Sequence, residues 1–425
     1  MEFRLQAAKR GKTRWLEELS TRPSTPSSCR LKPELHTRMR TTAPGWIRRL
    51  SVLSALWFCI CPLVPLTRAA GTNEIIKLDH GVRYTNEINP DVPLSIHIVE
   101  IERGRSEFEF CTTLGKGDVI GMGTVSEQVK TMPREFGRPL AAINADFYEK
   151  REKQEGRPRD LQIRFGEVVS SPAGHTCFWM APDGTPRMTN VFSKFRVVWP
   201  DGQATPVGLN QLREDAAAVL YTSVYGASTR TTGGVELVLE RGTNATWLPL
   251  KVGGDYAGHV REARSAGNTA LEPGIMVLSI GPGLARQIPA ASPGATIRVV
   301  TETVPDLTGV KVAIGGGPAL VSNGKTMETP GFFNLRHPRT AMGWSKDHIF
   351  LVEVDGRQGD ISIGMTMPEL AACMVKLGCE QAMNFDGGGS ATLWAFGWVK
   401  NSPSEGEERP APNALVLVKK AASKP

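Results

Sequence analysis

Two apolar runs, residues 349–354 and 382–385, each stop abruptly at an aspartate, with a helix-like stretch between them. The first leads into Asp355-Gly356-Arg357-Gln358 and the second into Asp386-Gly387-Gly388-Gly389-Ser390. Between them, Thr366 and Glu369 form a Thr-x-x-Glu capping pattern, which satisfies orphan amides at a helix start. Leu370, Met374 and Leu377 share one helical face, and Gly378 supplies the stop. If the two runs are parallel neighbouring strands, the unit is a right-handed β-loop-α-β crossover. Both aspartates then lie at carboxyl ends of strands on one edge, where open α/β sheets hold ligands. That arrangement gathers Asp355, Arg357, Asp386 and the three glycines, whose cost in backbone entropy points to positive φ or to close approach of a chain or ligand. On pattern alone, strand-end turn residues are the plainer reading of both aspartates.

From about residue 72 the chain is a series of short β-like runs: 94–101, 108–110, 196–199, 235–239, 275–280 and 297–301. Asp183-Gly184, Asp201-Gly202, Pro273-Gly274, Pro293-Gly294 and Asn323-Gly324 punctuate them as turns. Helical patterns cover only residues 125–132 and 366–377. The expectation is an α+β fold, a β-rich mixed sheet with few helices, in a single large domain over residues 75–420.

The formal charge of +7 is a property of the leader. Residues 1–70 hold 13 Lys+Arg against 4 Asp+Glu, which leaves 37 against 39 for the remainder, since 50 − 13 = 37 and 43 − 4 = 39. A near-neutral body removes the basic signal for nucleic acid. Arg48-Arg49, an apolar run over 50–66 and Ala69-Ala70-Gly71 follow the order of an export signal, positive then apolar then small. Residues 1–38 read as a disordered or over-extended start and 39–70 as an export signal peptide. Membrane contact is then transient, and the destination is periplasmic, cell-envelope or extracellular. A membrane anchor is the competing reading of the same run. Cys111, Cys177, Cys373 and Cys379 remain in the body and allow three disulfide pairings or none.

Three further stretches carry polar groups at strand ends. Residues 141–148 (AAINADFY) present Asn144 and Asp146 at period two, followed by an aromatic pair. Residues 314–318 (IGGGP) place Gly316 and Gly317 before a turn, without the Lys-Ser/Thr of a phosphate loop. Residues 336–340 (RHPRT) offer two guanidiniums and the imidazole of His337; Arg339 and its kind suit phosphate. A solvated basic loop is the plainer reading of that stretch. GxSxG and HExxH are both absent, so serine-hydrolase and zinc-peptidase readings lack support.

Taken together, AINADFY (142–148), GGGPALVSNG (315–324), RHPRTAMGW (336–344), VDGRQ (354–358), GMTMPELAACMVKLGC (364–379) and NFDGGGSATLW (384–394) resemble the phosphodiester glycosidase family, named for an N-acetylglucosamine-1-phosphodiester α-N-acetylglucosaminidase and including exopolysaccharide-related bacterial members. The resemblance implies a catalytic domain over most of residues 75–420 that hydrolyses a sugar-1-phosphodiester in a glycan or glycoconjugate. Asp146-Phe147-Tyr148 departs from the Gly-Phe-Phe expected of many relatives and adds a carboxylate and a hydroxyl. Asp386, Asp355 and His337 are the expected catalytic groups. Asn144, Asp146, Arg339, Arg357, Gly316, Gly317, Gly387, Gly388, Gly389 and Ser390 are the expected substrate contacts. No cofactor is required. Two other classes stay open: a phosphodiesterase attacking phosphorus with Ca²⁺ or Mg²⁺ on Asp146, Asp355 and Asp386, and a non-catalytic polysaccharide-binding envelope protein.

Overall fold

The short apolar runs fold as strands. The structure is a computed structural model that describes residues 74–89, 91–149, 156–243, 246–289, 291–329, 331 and 334–420. The expected disordered start and export signal therefore lie outside the described residues. Among the described residues the strands form sheets of eight, twelve and five members. Nearly all neighbours are antiparallel, while Gly208–Leu209 pairs parallel with Ala218–Tyr221 and makes the arrangement mixed. The α-helices among these residues are Val125–Lys130, Pro282–Ala285 and Met367–Lys376. The β-rich α+β expectation holds. No described helix is long and apolar enough to cross a membrane.

The eight-stranded sheet runs in the order Glu74–Asp79, Val82–Asn89, Leu94–Glu102, His348–Val354, Arg339–Trp344, Gln381–Asn384, Ala319–Ser322, Lys325–Thr326. His348–Val354 and Gln381–Asn384 are parallel to each other but are not neighbours. Arg339–Trp344 lies between them and pairs antiparallel with both. The expected direct crossover is corrected in this respect: helix Met367–Lys376 carries the chain past an intervening strand. Every residue of that strand is buried, as a central strand covered on both faces requires.

The crossover helix is fixed by local chemistry. Thr366 accepts from the Glu369 amide at 3.3 Å, and Glu369 accepts from the Thr366 amide at 2.9 Å, completing the capping box. Gly378 then takes φ +84°, the left-handed stop. Leu370, Ala371 and Met374 pack on Ala341, Val352, Val354 and Ala382. The opposite face of the sheet presents Val99, Ile101, Met342, Leu351 and Met383. There they meet Leu140, Ile143, Leu393 and Leu415 of the five-stranded sheet and Phe178 and Ile314 of the twelve-stranded one. One core thus joins all three sheets. Cys111, Cys177, Cys373 and Cys379 are free thiols.

Urea unfolding should separate the two supports of the helix. Thr366→Ala should cost about 1 kcal/mol through the lost cap, and Leu370→Ala about 2–5 kcal/mol through the cavity left on the sheet. Equal and negligible losses would contradict this packing.

Candidate functional site

Strand Arg138–Asn144 of the five-stranded sheet ends in a buried amide that organises its surroundings. The Asn144 Nδ2 donates to the Asp386 carbonyl at 2.6 Å. Its Oδ1 accepts from Thr340 Oγ1 at 2.8 Å and from the Thr392 amide at 2.9 Å. Asn144, expected as a substrate contact, therefore holds the Asp386 loop with both ends of its amide. The Asp386 amide donates to Ala145 O at 2.9 Å, so the loop is pinned to this strand end twice.

The loop itself is tightly wound. Gly388–Ser390 is a single 3₁₀ turn. The Gly387 amide donates to Asp386 Oδ1 at 3.1 Å, the Gly388 amide to Pro338 O at 2.9 Å and the Ser390 amide to Gly387 O at 3.3 Å. These three amides are taken up by bonds within the loop and to Pro338. Ser390 is fully buried, and its hydroxyl has no hydrogen-bond partner among the described residues. Asp386 stays half-buried at the surface of the loop.

Guanidiniums occupy the space that glycine leaves open. A Cβ on Gly388 would lie 2.9 Å from the Arg357 Nη2, and one on Gly389 would overlap Arg409 and Glu405. Arg357 takes φ +61°, a left-handed conformation that costs an L-residue roughly 1–3 kcal/mol. Its Nε–H donates to His337 Nδ1 at 3.3 Å, which leaves the His337 proton on Nε2. Burial first, then the charges of Arg357 and Arg339, hold His337 below its usual value, so it is neutral at pH 7. Arg339 is buried, its Nε and Nη2 donating to the carbonyls of Met365 and Leu335 at 2.9 and 2.8 Å. Burial and the Arg357 charge bring it down to about 10. Arg339 braces the loop that carries His337.

Asp355 does not join this surface. It is 2% exposed; its Oδ2 meets His97 Nε2 at 2.8 Å and its Oδ1 accepts from the Ser402 amide at 2.7 Å. Asp355 thereby ties the Ser402 loop, which leads to Arg409, to the sheet, and this corrects its expected role beside Asp386. Gly356 is needed at the same turn, since a Cβ there would lie 2.6 Å from Pro338 N.

Asp146 is buried two residues past Asn144. Its Oδ2 accepts from the Asp160 amide at 2.8 Å, while its Oδ1 has no hydrogen-bond partner among the described residues. Burial, with the Asp160 charge behind it, pushes the carboxyl up to about 7. For Asp160, burial acts upward, but hydrogen bonds from His175, Ala173 and Leu161 outweigh it and hold the carboxyl below its usual value. His175 Nδ1 is 2.7 Å from Asp160 Oδ2, and its side chain is 51% exposed. Gly315 permits this approach, because a Cβ would lie 2.8 Å from Asp146 Oδ2. Gly316 and Gly317 serve packing: their amides donate to Thr176 O at 3.1 Å and Asn384 O at 2.7 Å. Arg159 covers the Phe147 ring at 4.3 Å.

The sequence reading missed Arg409, Asp160, His175, His97 and Glu353. Arg409 sits in a Glu-rich loop, where one cation among Glu405, Glu407 and Glu408 was the available signal. Its main partner is Glu405, with Tyr148 and Asp386 within electrostatic reach. Asp146, Asp355 and Asp386 do not form a ligand cluster; among the described residues, the group whose donor atoms lie within 4.8 Å of one another is His97, Glu353 and Asp355. A cavity of about 500 Å³ adjoins Arg159 and Ala173 without including Asp386.

Residues 252–418 match the family model of phosphodiester glycosidases. A 92-residue stretch, 21% of this chain and 14% of the relative, is 34% identical to the SPbeta prophage-derived uncharacterised protein YomE of Bacillus subtilis. The chain therefore spans about one seventh of that relative's length. A hypothetical protein from Synechocystis has TM-score 0.66 at 18% identity, over 82% of this chain and 64% of that one. A "putative exported protein" from Burkholderia pseudomallei has TM-score 0.59 at 21% identity, over 76% of this chain and 74% of that one. These two show a shared fold.

Asp146 supplies a pH test. Its folded value of about 7 is above the ordinary 3.8, so the native state keeps a proton that the unfolded chain releases. Its contribution is present below pH 4 and is lost as pH rises to about 7, by about 1.4 kcal/mol per pH unit at most. Asp146→Asn should flatten the stability curve across that window; an unchanged curve would contradict the buried, protonated carboxyl.

Proposed function

We propose that this chain, whose residues 252–418 match the phosphodiester glycosidase family, is an exported hydrolase that cleaves a sugar-1-phosphodiester at its glycosidic C–O bond. The observation that carries the reading is the charge pattern around the glycine loop. The loop that carries the half-buried Asp386 has two guanidiniums against it, Arg357 at Gly388 and Arg409 at Gly389. A sugar phosphodiester needs both signs in one site: cations for the phosphate and a carboxylate for the anomeric carbon, where positive charge develops.

Arg357 and Arg409 take the phosphate oxygens, and His337 donates from Nε2 to the same group. Water adds to the anomeric carbon as the bond from that carbon to the phosphate-bridging oxygen breaks. The phosphomonoester leaves with that oxygen and the bonding pair, and the proton of the water passes through Asp386 to solvent or product. A phosphate leaving group is already a stabilised anion, so no strong acid is needed at the bridging oxygen. Asn144, Asp355 and Arg339 position the groups without touching substrate. The leader-like order of residues 48–71 supports work in the periplasm, cell envelope or medium.

A panel of sugar-1-phosphodiesters, assayed for released sugar, tests the reading. Wild type should turn over at least one member, Asp386→Asn should lose nearly all activity, and Arg357→Ala should lose about 10²–10³-fold. Saccharide binding without turnover, unchanged by Asp386→Asn, would favour a non-catalytic envelope protein instead.

A further inference from the structure

We propose that His97, Glu353 and Asp355 bind a divalent transition-metal ion of the zinc or manganese class, behind the strand ends that hold the Asp386 loop. The three are 3%, 0% and 2% exposed. Leu94–Glu102 and His348–Val354 pair with Glu353 directly opposite His97, so both side chains leave the sheet on one face. Asp355, two residues beyond Glu353, follows on that face. Their donor atoms fall within 4.8 Å of one another. Metal–ligand distances of about 2.0–2.2 Å would draw such a set together by small rotamer adjustments.

Glu353 is the second and independent observation. Both of its carboxylate oxygens are buried without a hydrogen-bond partner among the described residues. A carboxylate in that state is expensive unless something cationic meets it. Protonation would remove the charge but leave the polar oxygens unsatisfied. The surroundings match what a ligated imidazole needs. His97 Nδ1 lies 2.8 Å from Tyr84 Oη, which can accept its proton and free Nε2 for a metal. Ser95 Oγ, 3.1 Å from Nε2, is a further oxygen at the same spot. Asp355 is held in orientation by the Ser402 amide on its other oxygen. The alternative tautomer, Nε2–H donating to Asp355, satisfies that pair and does nothing for Glu353. One imidazole with two carboxylates suits Zn²⁺ or Mn²⁺ better than Ca²⁺ or Mg²⁺, which prefer all-oxygen shells. Two carboxylates and a neutral imidazole also balance the charge of one such ion. The ion would pin two strands and, through Ser402, the loop carrying Arg409. The inference stands apart from the reading of Asp386, because its readouts are metal content and stability.

The full chain, purified without chelator or histidine tag, should carry about one Zn²⁺ or Mn²⁺ by elemental analysis. Dialysis against a chelator should lower the unfolding temperature, and added Zn²⁺ or Mn²⁺ should restore it. Co²⁺ loaded in place of the ion should give a visible ligand-field spectrum. Glu353→Gln should bind at least 10-fold more weakly and lose that spectrum. Wild type without stoichiometric metal, with unfolding indifferent to chelator and to both ions, would overturn the proposal. So would equal metal binding by wild type and Glu353→Gln. If Glu353→Gln fails to fold, the metal content and chelator response of wild type decide.

Discussion

The geometry around Asp386 depends on one buried amide. Asn144 ends a strand of the five-stranded sheet, reaches Thr340 of the eight-stranded sheet, and bonds both limbs of the glycine loop through Asp386 O and Thr392 N. Only a side chain with a donor and an acceptor fits these three partners. A carboxylate would lack the donor for the Asp386 carbonyl, and an aliphatic residue would strand buried polar groups at about 1–3 kcal/mol each. The clamp fixes the backbone on either side of the three glycines, so the direction of the Asp386 carboxylate follows from the sheets.

Close approach is the second constraint. Glycines at 315, 316, 356, 388 and 389 stand where a Cβ would strike a neighbouring strand, a carboxylate or a guanidinium. Their missing side chains let three sheet ends and two arginines share one small region. Arg357 is held there in a left-handed conformation, a local cost that the surrounding bonds must overcome. Asp355, drawn inward to His97, and Arg339, drawn to backbone carbonyls, are the braces that hold this surface.

Features governed by neighbours in sequence were legible beforehand. The cap, face and stop of helix Met367–Lys376 follow from Thr366, Glu369, Leu370, Met374 and Gly378. The gathering of Arg357 with the glycine loop was also readable, from strand ends on one edge. What escaped was non-local. The insertion of Arg339–Trp344 between the two parallel strands depends on strand order, which spacing does not encode. The inward turn of Asp355 depends on His97, 258 residues away. His97 and Glu353 each break an apolar run, and only their register makes them partners. Asp160 and Arg409 sit in charged loops whose tertiary neighbours are invisible along the chain.

The proposed hydrolysis commits to one bond, the one between the anomeric carbon and the bridging oxygen. Under the proposed reading, guanidiniums on the phosphate and a carboxylate at the anomeric carbon would direct water to carbon and leave the phosphate as the departing group. Hydrolysis of a turned-over sugar-1-phosphodiester in ¹⁸O-water, followed by mass spectrometry of both products, measures this directly. The account predicts the label in the anomeric hydroxyl of the released sugar. Label in the phosphate would show attack at phosphorus and contradict it.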